Sequence, residues 1–273
     1  MDIIQVNQQT CTQCGICAAE CPGKIIDFQA GDYPLPGAQA ESRCLRCGHC
    51  VVVCPSGSLT HREMAVEQCP PIIPDLQVTA AQCEQLIRSR RSIRVYQDRP
   101  VPRELITRLI EIARYAPTGH NNQNVAWLVI DDRDELRRLE AIGVDWIRWV
   151  LRNQPKMAAG LDMKGMLERA EKGNNTFLRG APVLVVAHGV KNNPIAVVDC
   201  TIALSYLDLA ADSLGLGGCW AGFVYRMANS FPPMIAALSL PEGHTAYGCM
   251  MLGYPKFGYH RLPLRRPPKI TWH

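Results

Sequence analysis

The chain has 273 residues, 47% hydrophobic and 20% charged, with a formal net charge of +4; that is enough for one large domain or a small and a medium one. The charge is uneven: residues 1–70 hold four Lys/Arg against seven Asp/Glu, net −3, and 71–273 hold twenty-five against eighteen, net +7, which suits docking by charge or a basic site for an anionic ligand. No dense basic run interleaved with aromatics speaks for nucleic-acid binding, and no run of 18 apolar residues speaks for a membrane span.

Thirteen cysteines stand behind no basic, apolar leader and no Arg-Arg pair, so metal ligation in the cytoplasm is expected rather than disulfides. Two runs repeat one pattern: Cys11, Cys14, Cys17 and Cys21 followed by Pro22, then Cys44, Cys47, Cys50 and Cys54 followed by Pro55. Three thiolates at three-residue spacing can take three corners of a cubane, while the cysteine before proline completes the other cube. The expected sets are therefore Cys11, Cys14, Cys17 and Cys54 for one [4Fe–4S] cluster, and Cys44, Cys47, Cys50 and Cys21 for the second. Gly15 and Gly48 share one offset, where backbone would fold closely round the cluster. Zinc also takes C-x-x-C pairs, but it needs four ligands per site and gives no reason for a third cysteine or a repeated Cys-Pro. The pattern over residues 2–63 resembles the bacterial two-cluster ferredoxins. The other cysteines, Cys69, Cys83, Cys200, Cys219 and Cys249, read as small apolar packing residues.

Residues 69–75 hold three prolines in seven positions, a stiff connector. The expected division is a two-cluster domain over 1–66, a linker over 67–82 and a second domain over 83–273. In that domain Pro102 to Ala116 reads as a helix with Leu105, Leu109, Ile112, Ala113 and Ala116 on one face. Val125–Ile130 and Pro182–Ala187 read as buried strands, Ile195–Leu214 as a long apolar helix, and Gly218–Val224 and Ala246–Leu252 as further strands. Trp146, Trp149 and the polar Gly173-Asn174-Asn175 turn fall in an interval that covers either core or substrate, with core packing the plainer reading. The mixed order, with few βαβ units, gives an α+β class: a ferredoxin-like head followed by an α+β domain.

Several stretches, in order, resemble the nitroreductase family of FMN enzymes over about 83–266. They are Arg90-Arg91-Ser92-Ile93-Arg94, Ala116-Pro117-Thr118-Gly119-His120-Asn121-Asn122-Gln123, and Gly253-Tyr254-Pro255 with Arg261. Joined to the head, the chain resembles ferredoxin–nitroreductase fusions. The resemblance implies FMN phosphate and ring-edge contacts from Arg90, Arg91, Ser92 and Arg94, and a second phosphate arginine at Arg261. It further implies a pyrimidine-edge amide at Asn121 supported by Gln123, and a flavin-facing backbone at Ala221 and Gly222. Tyr259 stands where lysine is frequent in the family, and Asn124-Val125 where proline and an aromatic are frequent. The glycine-rich 215–222 is not a dinucleotide loop, because a helix precedes it and a strand follows.

The expected activity is reduction of a flat, electron-poor acceptor (nitroaromatic, quinone or activated alkene) by FMN fed through two clusters. The chemistry is flavin-centred, with no side-chain nucleophile required and none assigned. An external ferredoxin or a dehydrogenase is the expected donor, and the resemblance implies a homodimer. The rival reading is a non-enzymatic electron relay or redox sensor with the same cofactors.

Overall fold

The computed structural model describes residues 2–174 and 176–273; Asn175, in the turn expected from the sequence, lies outside them. The chain forms two compact units: Met1–Gln77 with His120–Asn122, and Val78–Gly119 with Gln123–His273.

The first unit is built from short elements. Its strands are β1 (Ile4–Val6), β2 (Ile26–Asp27), β3 (Leu35–Pro36) and β4 (Leu59–His61), and its helices α1 (Ile16–Glu20), α2 (Ala40–Arg43) and α3 (His49–Val52). β1 pairs antiparallel with β4, and β2 with β3. Ile3, Ile4, Ile25, Ile26, Val51 and Leu59 make a small core that also holds Cys17 and Cys21. Gly15 and Gly48 precede α1 and α3 at φ 71° and 74°. A side chain there would strike the Phe28 ring and the Met64 sulfur. The two glycines therefore answer to left-handed backbone and protein packing, a local reason that cysteine spacing alone does not reveal.

The second unit opens with α4 (Ala80–Ser89), capped by Thr79 and Gln82 in a reciprocal capping box. It continues with α5 (Arg103–Ala113), β5 (Ala126–Ile130), α6 (Arg133–Asn153), α7 (Pro155–Gly160), α8 (Met163–Glu171) and β6 (Val183–Val190). Then come α9 (Ala196–Ser213), β7 (Gly217–Trp220), α10 (Gly222–Ser230), α11 (Pro232–Leu238) and β8 (His244–Gly253). The four strands form one antiparallel sheet in the order β5-β6-β8-β7, and the class is α+β. Strand side chains alternate between faces. Val183, Val185, Ala187, Met250 and Leu252 pack with α5 and α9, whereas Leu184, Val186, Cys249 and Met251 pack in the core that also holds residues of α6, α8, α10 and α11.

Three sequence expectations shift. The buried stripe of α5 is Ile106, Leu109 and Ala113, with Pro102 as N-cap and Ile112 left 40% exposed. The strand expected over Gly218–Val224 ends at Trp220, because Val224, Met227 and Ala228 recur at helical spacing and bury one face of α10. β5 is only partly buried, as suits an edge strand. Trp146 is a core residue against Phe177 and Phe223, at 6.3 and 5.8 Å between ring centroids, and Trp149 packs near Phe231.

Glu140 on α6 holds the stretch before β6. Its carboxylate accepts the backbone N–H groups of Thr176, Phe177 (2.8 Å) and Leu178 (2.9 Å). Burial pushes this carboxyl up, and the three N–H donors pull it back. Glu140→Ala leaves three part-buried backbone donors without their acceptor and is expected to cost about 3 kcal/mol, read by urea unfolding. Glu140→Gln keeps one acceptor and should recover part of that.

Candidate functional site

Four thiols from both cysteine runs, Cys11, Cys14, Cys17 and Cys54, line one cavity in the first unit. Burial pushes the Cys17 thiol up, and repulsion from Cys54 and Cys14 adds to it. In the other group burial pushes Cys50 up to about 12, with Cys21, Cys47 and Cys44 the charges that repel it. The fourth cysteine of each run thus neighbours the other run. Donors already face the sulfurs: Ser58 N–H lies 3.3 Å from Cys54 Sγ, and Arg46 N–H 3.3 Å from Cys44 Sγ. At Cys54 burial works upward, but hydrogen bonds from Ser58 and Ser56 outweigh it and hold the thiol below its ordinary range. Thiols from two runs round one cavity, with N–H groups aimed at sulfur, fit cubane ligation.

His61, which belongs to no motif, adds a further donor. It is 3% exposed on β4. Its Nδ1 accepts the Glu63 N–H at 3.0 Å, so its proton sits on Nε2, 3.6 Å from Cys44 Sγ. Burial depresses its basicity and favours the neutral ring. A donor to a ligating sulfur stabilises the reduced cluster. His61→Phe is therefore expected to lower the potential of one cluster and spare the other, in an EPR-monitored redox titration. Two unchanged potentials would remove this role.

Of the other five cysteines, Cys200, Cys219 and Cys249 are buried, and burial pushes Cys200 and Cys249 up to about 12. Cys83 departs from the packing expectation: it is exposed, because α4 buries none of its residues.

In the second unit the expected FMN residues divide between two cavities. The larger, about 990 Å³, is lined by Arg90, Arg91 and Arg261 together with Asp208 and Gly218. Arg90, just past α4, donates to Asp208 Oδ2 at 3.3 Å. Arg91 donates to the carbonyls of Ser89, at 3.1 Å, and Arg88. Asp208 is 6% exposed, and its Oδ1 has no partner among the described residues. Burial pushes its carboxyl up, opposed by Arg90. A side chain on Gly218 would meet Asp208 Oδ1 at 2.5 Å. Guanidinium groups with hydrogen bonds to spare, beside an unmet acceptor, fit a ligand carrying phosphate and hydroxyls.

The smaller cavity, about 370 Å³, is lined by Arg94, Ala221 and Gly222 with Arg179, Trp220 and Arg226. Arg94 donates to Ser92 O at 3.4 Å, and Ala221 N–H to Cys249 O at 2.8 Å. Ser92 itself hydrogen-bonds the Cys219 thiol.

Asn121 and Gln123 line neither cavity. Asn121 belongs to the first unit, where its amide donates to the carbonyls of Leu45 (3.2 Å) and Arg46 (3.1 Å). Gln123 sits with Thr118 and Trp127 at a separate hollow, and its N–H donates to Thr118 Oγ1 at 3.0 Å. His120, Asn121 and Gln123 all take left-handed φ, 54°, 54° and 49°, a backbone uncommon for non-glycine residues.

Sequence reasoning passed over Asp208, Arg179, Arg226 and His61. Asp208 had a signal, one of three acids (with Asp199 and Asp212) in a mostly apolar helix; the other three belong to no motif. No helix among the described residues is long and apolar enough to cross a membrane.

Comparison with known proteins agrees with this architecture. The 4Fe-4S dicluster domain profile matches residues 10–59, and the Nitroreductase family profile residues 87–254. An Archaeoglobus fulgidus protein, named as a candidate NADH dehydrogenase/NAD(P)H nitroreductase, is 29% identical over 177 residues, 64% of this chain and 86% of that one. The Bacillus subtilis FMN reductase [NAD(P)H] is 26% identical over 62% of this chain and 64% of its own. The FMN-bound nitroreductase of Bacteroides fragilis matches with a TM-score of 0.58 at 24% identity, over 69% of this chain and 96% of its own, a likeness of fold. The chain belongs to the nitroreductase family, with a 4Fe–4S dicluster domain preceding the family domain.

Proposed function

We propose that the chain is an FMN-dependent reductase whose electrons arrive through its two [4Fe–4S] clusters and leave to a small, flat, electron-poor acceptor. The observation that carries this reading is the joining of a dicluster domain to a nitroreductase-family domain in one chain. Relatives named as FMN reductase and as an FMN-bound nitroreductase support the flavin. The division into a head over 1–66, a linker over 67–82 and an FMN domain over 83–273 is kept as part of this proposal.

When bound, the clusters supply single electrons, and the flavin turns them into two-electron chemistry. The protein's part is placement. Cys11, Cys14, Cys17 and Cys54 would hold one cluster, and Cys44, Cys47, Cys50 and Cys21 the other. Arg90, Arg91 and Arg261 would grip phosphate, with Asp208 fixing the Arg90 guanidinium, while Ser92 lines neither cavity. Arg94, Ala221 and Gly222 line the cavity that would take the ring, where the Arg94 guanidinium would favour negative charge. Asn121 and Gln123 line neither cavity within one chain, which favours a homodimer in which they serve the partner's flavin. Light scattering on the loaded protein tests that. A cytoplasmic setting with an external ferredoxin or dehydrogenase as donor completes the reading.

The test is anaerobic stopped-flow on the full chain. Reduced ferredoxin or viologen is expected to reduce the flavin rapidly, and NADH or NADPH slowly. Rapid reduction by NADPH in a full-length variant lacking both clusters would sink the head as electron source. Turnover that always required a protein partner, with no small acceptor accepted, would favour the relay reading instead.

A further inference from the structure

The smaller cavity of the second unit carries more positive charge than a flavin ring needs. Arg94, Arg179 and Arg226 line it, and none of the described residues lining it is Asp or Glu. Among the described residues Arg94 finds a backbone carbonyl at 3.4 Å, and Arg226 the Met157 sulfur at 3.6 Å. Arg179 follows Leu178, whose N–H is held by Glu140, and it sits at φ 55°. Glu140 feels the Arg179 charge, but its two oxygens already accept three backbone N–H groups. Arg94 and Arg179 both reach the field at Cys219 in the cavity wall. The other walls include Phe177, Trp220 and Phe223, flat surfaces that suit an aromatic ligand.

A concave site with guanidinium groups, no carboxylate and aromatic walls concentrates flat anions. Assigning Arg94 to the flavin leaves Arg179 and Arg226 without a task. We infer that Arg179 and Arg226 select acceptors that are themselves anionic, an aromatic ring bearing a carboxylate or sulfonate beside its reducible group. This rests on the reductase reading above and specifies its substrate class. In the reduction of a nitro acceptor, two electrons from the reduced holoenzyme and two protons from solvent convert the nitro group to nitroso, with one oxygen leaving as water. The anionic substituent takes no part in that exchange; it only places the ring.

The experiment compares 4-nitrobenzoate with its neutral methyl ester on the full-length holoenzyme. Binding to the oxidised protein is read from the perturbed flavin absorbance, and reduction from reoxidation of dithionite-reduced protein. The acid is expected to bind at least ~10-fold more tightly than the ester, in keeping with a charge-assisted hydrogen bond. That gap should shrink when salt is raised to about 0.5 M. Arg179→Ala and Arg226→Ala should each narrow the acid-to-ester ratio about tenfold, with partial recovery in Arg179→Lys and Arg226→Lys. Equal affinity for acid and ester, or a preference that survives both alanine variants, overturns the inference even if both compounds are reduced. If the acid is preferred in binding but neither compound is reduced, the anion site stands and the reductase reading falls.

Discussion

Cys54→Ala is expected to strip about half the iron from the protein, and the cluster that goes is the one begun by the first cysteine run and completed by Cys54. The ground is geometric: Cys54 shares its cavity with Cys11, Cys14 and Cys17, while Cys50 feels Cys21, Cys47 and Cys44. Double variants make the expectation sharp. Cys54→Ala with Cys11→Ala should lose no more iron than either change alone, because both empty one site. Cys54→Ala with Cys44→Ala should lose nearly all of it. Iron analysis with EPR on anaerobically prepared protein decides the matter. If each run closed on its own cluster, the two double variants would exchange results.

Arg90→Ala should leave Asp208 buried and unmatched, with a cost that depends on pH. The Asp208 side chain is 7% exposed and that of Arg90 27%. Burial already pushes the Asp208 carboxyl up, and Arg90 is what pulls it back. A carboxyl raised by folding contributes stability that is fully present below its unfolded pKa, near 3.9. That contribution is lost as pH rises toward the folded value. Without Arg90 the folded value rises further, so the loss continues to higher pH. The stability profiles of variant and parent should therefore run together in acid and part as pH rises through the folded pKa of Asp208. At neutral pH the gap should reach about 2 kcal/mol, the usual penalty for an uncompensated buried acceptor. Urea unfolding across pH, with flavin stripped from both proteins so that ligand binding does not enter, measures it. Asp208→Asn in the Arg90→Ala background should restore most of the loss. A constant offset at every pH would show that the pair carries no charge-dependent stability.

The grouping of the eight cysteines is legible because cubane ligation calls for a short repeat in sequence, and a proline marks where each run turns away. The long elements were legible for a similar reason: α9 and β6 are apolar through most of their length. What was not legible depended on contacts distant in sequence. Nothing near Gly15 or Gly48 announces Phe28 or Met64 as the neighbour that forbids a side chain. The end of β7 at Trp220 was missed because Phe223 and Val224 suit a strand by propensity; the helical recurrence of Val224, Met227 and Ala228 prevails. Arg179 and Arg226 lie 47 positions apart in sequence, and only the fold brings them to one cavity. Asn121 was assigned by its motif, yet its amide finds the Leu45 and Arg46 carbonyls, a pairing that no local pattern encodes.

The interleaving of the two cysteine runs has a consequence for how the head is made. Residue 54 closes a site begun at residue 11, so that cluster cannot be finished until more than forty intervening residues have been synthesised and folded back. The second site in turn borrows Cys21 from the earlier run. Maturation of the head is therefore expected to be nearly all-or-none. Chains interrupted between the two runs should hold little iron, and the two halves supplied as separate fragments should recover it only when mixed before the iron is added.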